Sequence, residues 1–221
     1  MGQKINPKNF RIPFLYTWPS KWFGGKNYAD LLREDILIRE YIMKKYKEAL
    51  IDQVEVERSA NAMTVIINAT KPGLIIGRGG AGVEALKKEI NQKILKRKEK
   101  LEINIIEVKK PMLSARVVMQ SMVFEIEKRM PFRRVLKQAI SKVMKEGAKG
   151  VKVMMSGRLN GSEIARTESL ANGKLPLHTL RSDIDYSKGA ALCSYGLIGI
   201  KVWIYRDDVF DKEKEKDKDT K

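Results

Sequence analysis

The stretch GLIIGRGGAG, residues 73–82, limits the folds open to this chain more than any other segment does. It contains G-x-G-x-x-G (Gly77, Gly79, Gly82), which is typical of a dinucleotide-binding turn. It also contains I-G-x-x-G, with glycines at Gly77 and Gly80, which is typical of a loop that holds single-stranded nucleic acid. Glycine lets the backbone approach phosphates closely in both kinds of site. The elements on either side must therefore decide between them.

Hydrophobic periodicity around the glycines predicts both helices and strands. Apolar residues three or four apart predict one helix before the glycines and one after them; the stripes are Ile38, Ile42, Tyr46 and Ala49 in the first, and Val83, Leu86, Ile90 and Ile94 in the second. DQVEVER, MTVIINAT and LEINIIEV predict strands, the first two joined by a turn at SANA. KPGLII contains Pro72 and Gly73, so it is predicted to hold only a short helical turn.

This order of elements favours the nucleic-acid interpretation over the dinucleotide one. A dinucleotide site needs its glycines directly after a strand, inside a parallel βαβ unit, with an acid about 20 residues further on. Glu107 is suitably placed, but KPGLII separates the strand from Gly77, and the two preceding strands are predicted to form a hairpin. A loop of the other kind joins two helices and clamps the backbone of about four nucleotides beside an apolar groove. Leu74, Ile75 and Ile76 are available for such a groove.

Charge points in the same direction. Lys and Arg number 44 against 27 Asp and Glu, a formal net charge of +17, which fits a polyanionic partner. Arg78 lies inside the loop, and residues 87–100 contain seven bases, namely Lys87, Lys88, Lys93, Lys96, Arg97, Lys98 and Lys100, against two acids. Taken alone, a helix-cap turn with a solvated basic face explains the loop equally well. The element order and the net charge favour RNA.

The second half of the chain predicts a further α+β domain. Helices are expected at about 112–129 and 132–146, with apolar stripes Ala115, Val118, Met122 and Ile126 in one, and Leu136, Ala139, Ile140 and Val143 in the other. The remainder is β-rich. The predicted organisation is an N-terminal arm at 1–25, an RNA-binding domain with its leading helix at 26–110, an α+β domain at 111–206, and a charged disordered tail at 207–221.

Candidates for catalysis, metal binding and membrane insertion are few. The single cysteine, Cys193, and the single histidine, His178, exclude an intrachain disulfide and a His cluster. Asp183 and Asp185 share one face of a predicted strand, and an ion-pair network with Arg181 is the favoured interpretation. We predict no catalytic residue, no cofactor and no metal. No membrane partner is expected either, because no apolar run reaches ~18 residues.

Several long motifs resemble one known family. VIINATKPGLIIGRGGAGVEALKKEI and its element order resemble a type II KH domain, α-β-β-α-α-β. MGQKINP, RMPFRRVLKQAI, SGRLNGSEIARTE, PLHTLRSDIDY and YGLIGIKVWIY resemble the bacterial-type family of the small-subunit ribosomal protein S-three. The resemblance runs from residue 1 to about residue 206. It implies a KH domain followed by a second α+β domain with two helices and a small, mostly antiparallel sheet.

The resemblance also implies a function and partners. Its members are constituents of the small-subunit head that bind ribosomal RNA and the neighbouring proteins S-ten, S-fourteen and S-two. They help to line the tunnel through which mRNA enters, where a basic cluster assists unwinding. The implied location is the ribosome of a bacterial-type cytoplasm or organelle. The RNA-binding positions expected in this chain are Gly77, Arg78, Gly79, Gly80, Lys87, Lys88, Arg133, Arg134 and Lys137.

The chain departs from the family pattern at two places. Many members carry two basic residues in the glycine loop, where this chain has Arg78-Gly79. Residues 169–172 are Ser-Leu-Ala-Asn, where the family often has a Trp and charged residues. Two other functions remain as alternatives: a free-standing KH regulator of mRNA, and an NAD-dependent oxidoreductase that uses the G-x-G-x-x-G glycines.

Overall fold

The computed structural model describes residues 4–25, 27–59, 62–95 and 100–210, apart from the side chain of Lys100. The chain forms two compact units. One is Trp18–Pro111; the other combines the residues up to Thr17 with those from Met112 onward. The helices are α1 Pro7–Phe10, α2 Tyr28–Lys45, α3 Gly73–Ile76, α4 Ala81–Ile90, α5 Ala115–Glu127 and α6 Phe132–Lys145. The strands are β1 Ser20–Lys21, β2 Ile51–Arg58, β3 Ala62–Ala69, β4 Lys100–Glu107, β5 Gly150–Gly157, β6 Arg166–Gly173, β7 Ser182–Cys193 and β8 Gly196–Asp208.

The first unit has the predicted KH order. Its sheet runs β1-β2-β3-β4, and β2 and β3 form the expected antiparallel hairpin. Burial alternates along β3, so that Met63, Val65 and Ile67 enter the core while their neighbours are only half-buried. The stripe of α2 meets this core through Ile38 and Ile42, both fully buried. Periodicity thus predicted the buried faces of β3 and α2, but α2 ends at Lys45, so Tyr46 and Ala49 of the predicted stripe follow the helix instead of lying in it.

The first unit contains a parallel βαβ unit, contrary to the sequence prediction. β3 and β4 pair in parallel, with α3, the glycine loop and α4 forming the crossover between them. The hairpin lies before this crossover rather than replacing it. Parallel pairing could not be read from the strands themselves, because hydrophobic runs such as MTVIINAT and LEINIIEV fit parallel and antiparallel neighbours equally well.

The second unit is a four-stranded antiparallel sheet, in the order β6-β5-β8-β7, with α5 and α6 packed on one face. The expected stripe of α5 is buried, as is that of α6. On the sheet, Val151 and Val153 of β5 join Ile200 and Val202 of β8 in the same core. The α+β fold class is therefore confirmed, with two helices and an antiparallel sheet in this half.

Two strand ends differ from the sequence prediction. β7 continues from SDIDY through SKGAALC to Cys193, although small and polar residues fill that extension. It pairs along its length with β8, whose β-branched alternation supplies the partner. β8 in turn runs to Asp208, so it contains the first two residues of the tail predicted at 207–221. Residues 211–221 of that predicted tail lie outside the described residues.

The N-terminal segment belongs to the second unit rather than standing apart from it. Its anchor is Arg11, whose side chain is fully buried and donates hydrogen bonds to backbone carbonyl oxygens. The acceptors are Pro7 (2.9 Å), Leu177 (3.1 Å), Thr179 (2.9 Å) and Ser182 (2.6 Å). Because the planar guanidinium carries five donors, one side chain satisfies carbonyls of two chain segments that are far apart in sequence.

The predicted ion-pair network at Asp183 and Asp185 forms with different partners. Arg206 lies 3.4 Å from Asp183 and 3.3 Å from Asp185, and Lys8 lies 2.6 Å from Asp185. Arg181 instead places its guanidinium over the ring of Phe210. Burial would raise the pKa of Asp185, but Lys8 and Arg206 outweigh it, so the pKa lies below its usual value. The register of β7 with β8 made Arg206 the neighbour, and spacing within one strand could not show this.

Replacing Arg11 with Ala should strongly destabilise the second unit. The change leaves a cluster of carbonyl oxygens without donors, which should cost about 3 kcal/mol of unfolding free energy. Denaturant unfolding of the full chain measures this cost. Arg181→Ala, an exposed arginine near the same strand, is the matched control and should change the unfolding free energy by less than about 0.5 kcal/mol. Equal effects of the two changes would contradict an anchoring role for Arg11.

Candidate nucleic-acid interface

The glycine loop is a tight connection between α3 and α4. Gly77, Gly79 and Gly80 have φ of 69°, 60° and 83°, a conformation that L side chains rarely adopt. Arg78 lies between them and is exposed. The loop therefore presents bare backbone and one guanidinium directly before the N-terminus of α4, where unpaired N–H groups favour an anion. This is the geometry that the I-G-x-x-G interpretation requires.

Gly82 has a separate structural role that the sequence argument missed. It lies in the first turn of α4, and a Cβ there would come within 2.9 Å of the carbonyl oxygen of Ile76 and closer still to that of Ile75. The C-terminal carbonyls of α3 thus rest directly on the backbone of α4. The G-x-G-x-x-G spacing signals this close approach of two helices rather than an approach to a pyrophosphate.

Apolar residues beside the loop divide between core and surface. Ile75 is fully buried, whereas Leu74 and Ile76 are 52% and 38% exposed. The groove proposed from GLII therefore has two exposed members, and its middle residue anchors α3 to the core. Lys88 is exposed and Lys87 half-buried in the last turn of α4, about 12 Å along the helix axis from Gly80 at 1.5 Å per residue.

Four of the seven basic side chains in residues 87–100 lie outside the described part of the structure. Lys96, Arg97 and Lys98 lie outside the described residues, as does the side chain of Lys100. Lys45 forms an ion pair with Glu89, and Lys93 contacts the ring of Tyr41. The described cations of α4 are Lys87 and Lys88 in its last turn, in addition to Arg78 within the loop.

The second candidate surface is the outer side of α6 in the other unit. Two rows of residues four apart run along it: Arg133, Lys137, Ser141 and Lys145 in one, and Arg134, Gln138 and Lys142 in the other. Together they line a shallow groove of about 700 Å³ that contains five cations and no carboxylate. The rows face outward because Leu136, Ala139, Ile140 and Val143 occupy the opposite side of the helix in the core.

Some cations of α6 pair with a carboxylate and others do not. Arg133 lies 3.6 Å from Glu168, and Lys142 lies 3.3 Å from Glu125. Within the described residues, the side chains of Arg134 and Lys137 have no ion pair or hydrogen bond, so their charges are available to a ligand. The predicted RNA-binding residues thus lie on two surfaces, one in each unit: the loop with α4, and the outer side of α6.

A KH fold with a bare glycine loop and uncommitted surface cations defines an RNA-binding protein. Comparisons with known proteins agree with this class. The KH domain family matches residues 37–113, and the family "Ribosomal protein S3, C-terminal domain" matches residues 122–204. The chain belongs to the ribosomal protein S3 family.

Its relatives match over nearly their whole length. Small ribosomal subunit protein uS3 of Bacillus cytotoxicus is 49% identical over 97% of both chains. The uS3 proteins of Desulforamulus reducens and Desulfitobacterium hafniense are 49% and 47% identical, over 97% of this chain and 96% of each relative. The resemblance to the S-three family is confirmed. The prediction that the chain is not an enzyme is confirmed as well, because the family consists of ribosomal structural proteins. This removes the oxidoreductase alternative.

The described residues contain no candidate membrane span and no candidate metal site. Among them, no helix is both long and apolar enough to cross a membrane. In the same part of the chain, no group of three or more His, Cys, Asp and Glu side chains is placed to hold a metal ion.

Gly82→Ala should destabilise the first unit, although alanine is the better helix former. The added Cβ would clash with the carbonyl oxygens at the end of α3, which are backbone and cannot move aside. We expect a loss of about 2 kcal/mol in the free energy of unfolding. Gly73→Ala is the control, because a Cβ at Gly73 meets nothing within 4 Å; it should be neutral or slightly stabilising. If Gly82→Ala is also neutral, the close contact is not required.

Proposed function

We propose that this chain binds ribosomal RNA in the head of the small subunit and contributes to the tunnel through which mRNA enters. The observation that carries the mRNA part is the α6 surface, where Arg134 and Lys137 are exposed and unpaired in a groove without carboxylates. Cations without an ion pair on adjacent turns of one helix can neutralise neighbouring phosphates of one strand. Family membership supports the assignment to the small subunit.

The proposed action on mRNA is passive. Arg133, Arg134 and Lys137 hold the backbone of a strand that is already unpaired, which disfavours its return to a duplex while translocation pulls it forward. No nucleotide hydrolysis is required, because the energy comes from translocation and the chain only shifts the equilibrium between paired and unpaired strands. Glu168 leaves Arg133 partly neutralised, so Arg134 and Lys137 are the stronger contributors.

The glycine loop has a smaller proposed role in holding RNA. It offers backbone N–H groups and the single charge of Arg78, with Lys87 and Lys88 further along α4. This arrangement suits one or two phosphate contacts rather than a long track. The neighbouring proteins S-ten, S-fourteen and S-two, and a location in the ribosome of a bacterial-type cytoplasm or organelle, belong to the same proposal and are supported by the family resemblance.

The mRNA proposal predicts a selective defect in translation. Subunits carrying Arg134→Ala with Lys137→Ala should translate a structured message several-fold more slowly than wild type, and an unstructured message at nearly the same rate. The measurement is the elongation rate on paired templates that differ only in a stable hairpin. Lys174→Ala, an exposed lysine of the same unit, is the control for charge. A similar slowing on both templates would argue against the unwinding role.

The ribosomal RNA proposal predicts a strong dependence on salt. The logarithm of the binding constant for small-subunit RNA should fall with the logarithm of salt concentration by about 0.7 to 0.9 per neutralised phosphate. A slope near zero in a filter-binding series would exclude electrostatic recognition. Co-sedimentation with small subunits in a lysate separates a ribosomal protein from a free-standing KH regulator, which would remain in the supernatant.

A further inference from the structure

The second sheet has one face that the helices do not cover. Residues of β5 and β8 alternate, so Val151, Val153, Ile200 and Val202 enter the core, while Lys152, Met154, Lys201 and Trp203 point to the opposite side. β7 continues this side with Tyr186 and Lys188. We call the surface formed by Lys152, Met154, Tyr186, Lys188, Lys201 and Trp203 the open sheet face.

An aromatic pair occupies the middle of this face. Trp203 lies directly opposite Tyr186 in the strand register, with ring centroids 5.2 Å apart and planes at 40°. Lys152 lies opposite Trp203 on its other side and places its ammonium 5.8 Å from the ring centroid. Both rings are only half-buried. A large aromatic ring on a central strand, with a cation beside it, is a surface on which a nucleobase can stack.

The next rung of the sheet places two lysines against each other. Lys188 is directly opposite Lys201, and both are exposed. Like charges at directly opposed positions destabilise a sheet. Within the described part of the chain, neither ammonium group has an ion pair or a hydrogen bond that would offset this repulsion. The fold alone gives no reason for such a pair, whereas a bound anion between the two lysines would relieve it.

Small uncharged residues flank these rungs on β6 and β7. The neighbours of these rungs on β6 and β7 are small: Ala171 is opposite Lys152, Ser169 is opposite Met154, and Ala190 is opposite Gly199. No carboxylate stands among them to repel a phosphate. Adjacent rungs are about 6.6 Å apart along a strand, so a ring on one rung and a phosphate on the next are within reach of one nucleotide.

We infer that the open sheet face is a second RNA-binding site of this unit, specific for unpaired nucleotides. A base stacks on Trp203 and Tyr186, while Lys188 and Lys201 hold the adjoining phosphate. Single-stranded RNA is the occupant because duplex bases have no free ring face, and because an acidic protein segment would use the lysines but not the aromatic pair. The site lies on the opposite side of the sheet from α6 and does not depend on the role proposed for that helix.

The test measures binding of a ten-nucleotide single-stranded RNA to the full chain over a salt series. Trp203→Leu should weaken binding about tenfold at every salt concentration, as expected for the loss of one stacked base, and should leave the salt slope unchanged. An oligonucleotide of the same length with abasic positions should bind wild type and Trp203→Leu equally. Trp18→Leu, at a tryptophan that is 65% exposed in the other unit, is the control and should keep wild-type affinity.

The opposed lysines, Lys188 and Lys201, allow an independent test through the salt dependence of RNA binding. Lys201→Gln should lower the salt slope by about 0.7, the contribution of one phosphate on a single strand. It should leave thermal stability unchanged or raise it, because it removes the opposed charge. Lys44→Gln, at an exposed lysine of α2, is the charge-matched control.

Four results would overturn the assignment of the site to unpaired RNA. The first is wild-type affinity in both Trp203→Leu and Tyr186→Leu. The second is equal binding of a duplex of the same charge. The third is equally effective competition by polyglutamate, which would make the face an acidic-protein site. Crosslinks from 4-thiouridine in the oligonucleotide should map to the peptides of β7 and β8, and their absence there would equally exclude the site.

Discussion

Helices pack against one face of each four-stranded sheet, and this packing determines which surfaces are left for the Lys and Arg side chains. A sheet covered on one side sends alternate residues into the core and leaves the others at or near the surface. A helix packed on such a sheet likewise buries one stripe and exposes the rest. The protein has a net charge of +17, and among the described residues Arg11 is the one Lys or Arg that is buried, so the other basic residues collect on the remaining faces. Their mutual repulsion there favours a polyanionic partner.

Hydrophobic periodicity in the sequence predicted most of the fold. The buried faces of α2, α5 and α6 were correct because burial on a helix follows a fixed spacing that local sequence records. The outward direction of Arg134 and Lys137 followed from the same geometry. The glycine loop was equally local, since three of its glycines need a backbone conformation that few other residues adopt.

What the sequence did not show depended on long-range register. Arg206 and Lys8 neutralise Asp185, and Arg11 donates to carbonyls near Ser182. The sequence of β7 alone does not identify these partners. The extension of β7 through SKGAALC has weak strand propensity and exists because β8 pairs with it. The role of Gly82 required the distance between two helices. The opposed lysines of the open sheet face likewise become visible only once β7 and β8 are aligned.

The Arg11 anchor also sets an order of events during synthesis. The first unit, Trp18–Pro111, lies between the two parts of the second in the chain. It is complete on the ribosome before residues 176–182 exist, and 171 residues separate Arg11 from the Ser182 carbonyl that it binds. At about 5 to 20 residues per second, the nascent N-terminus waits about 10 to 30 s for its partner strand. During that interval Arg11 lacks the carbonyl acceptors of residues 177–182, so the N-terminal segment can take its folded position only after that part of the chain has been made.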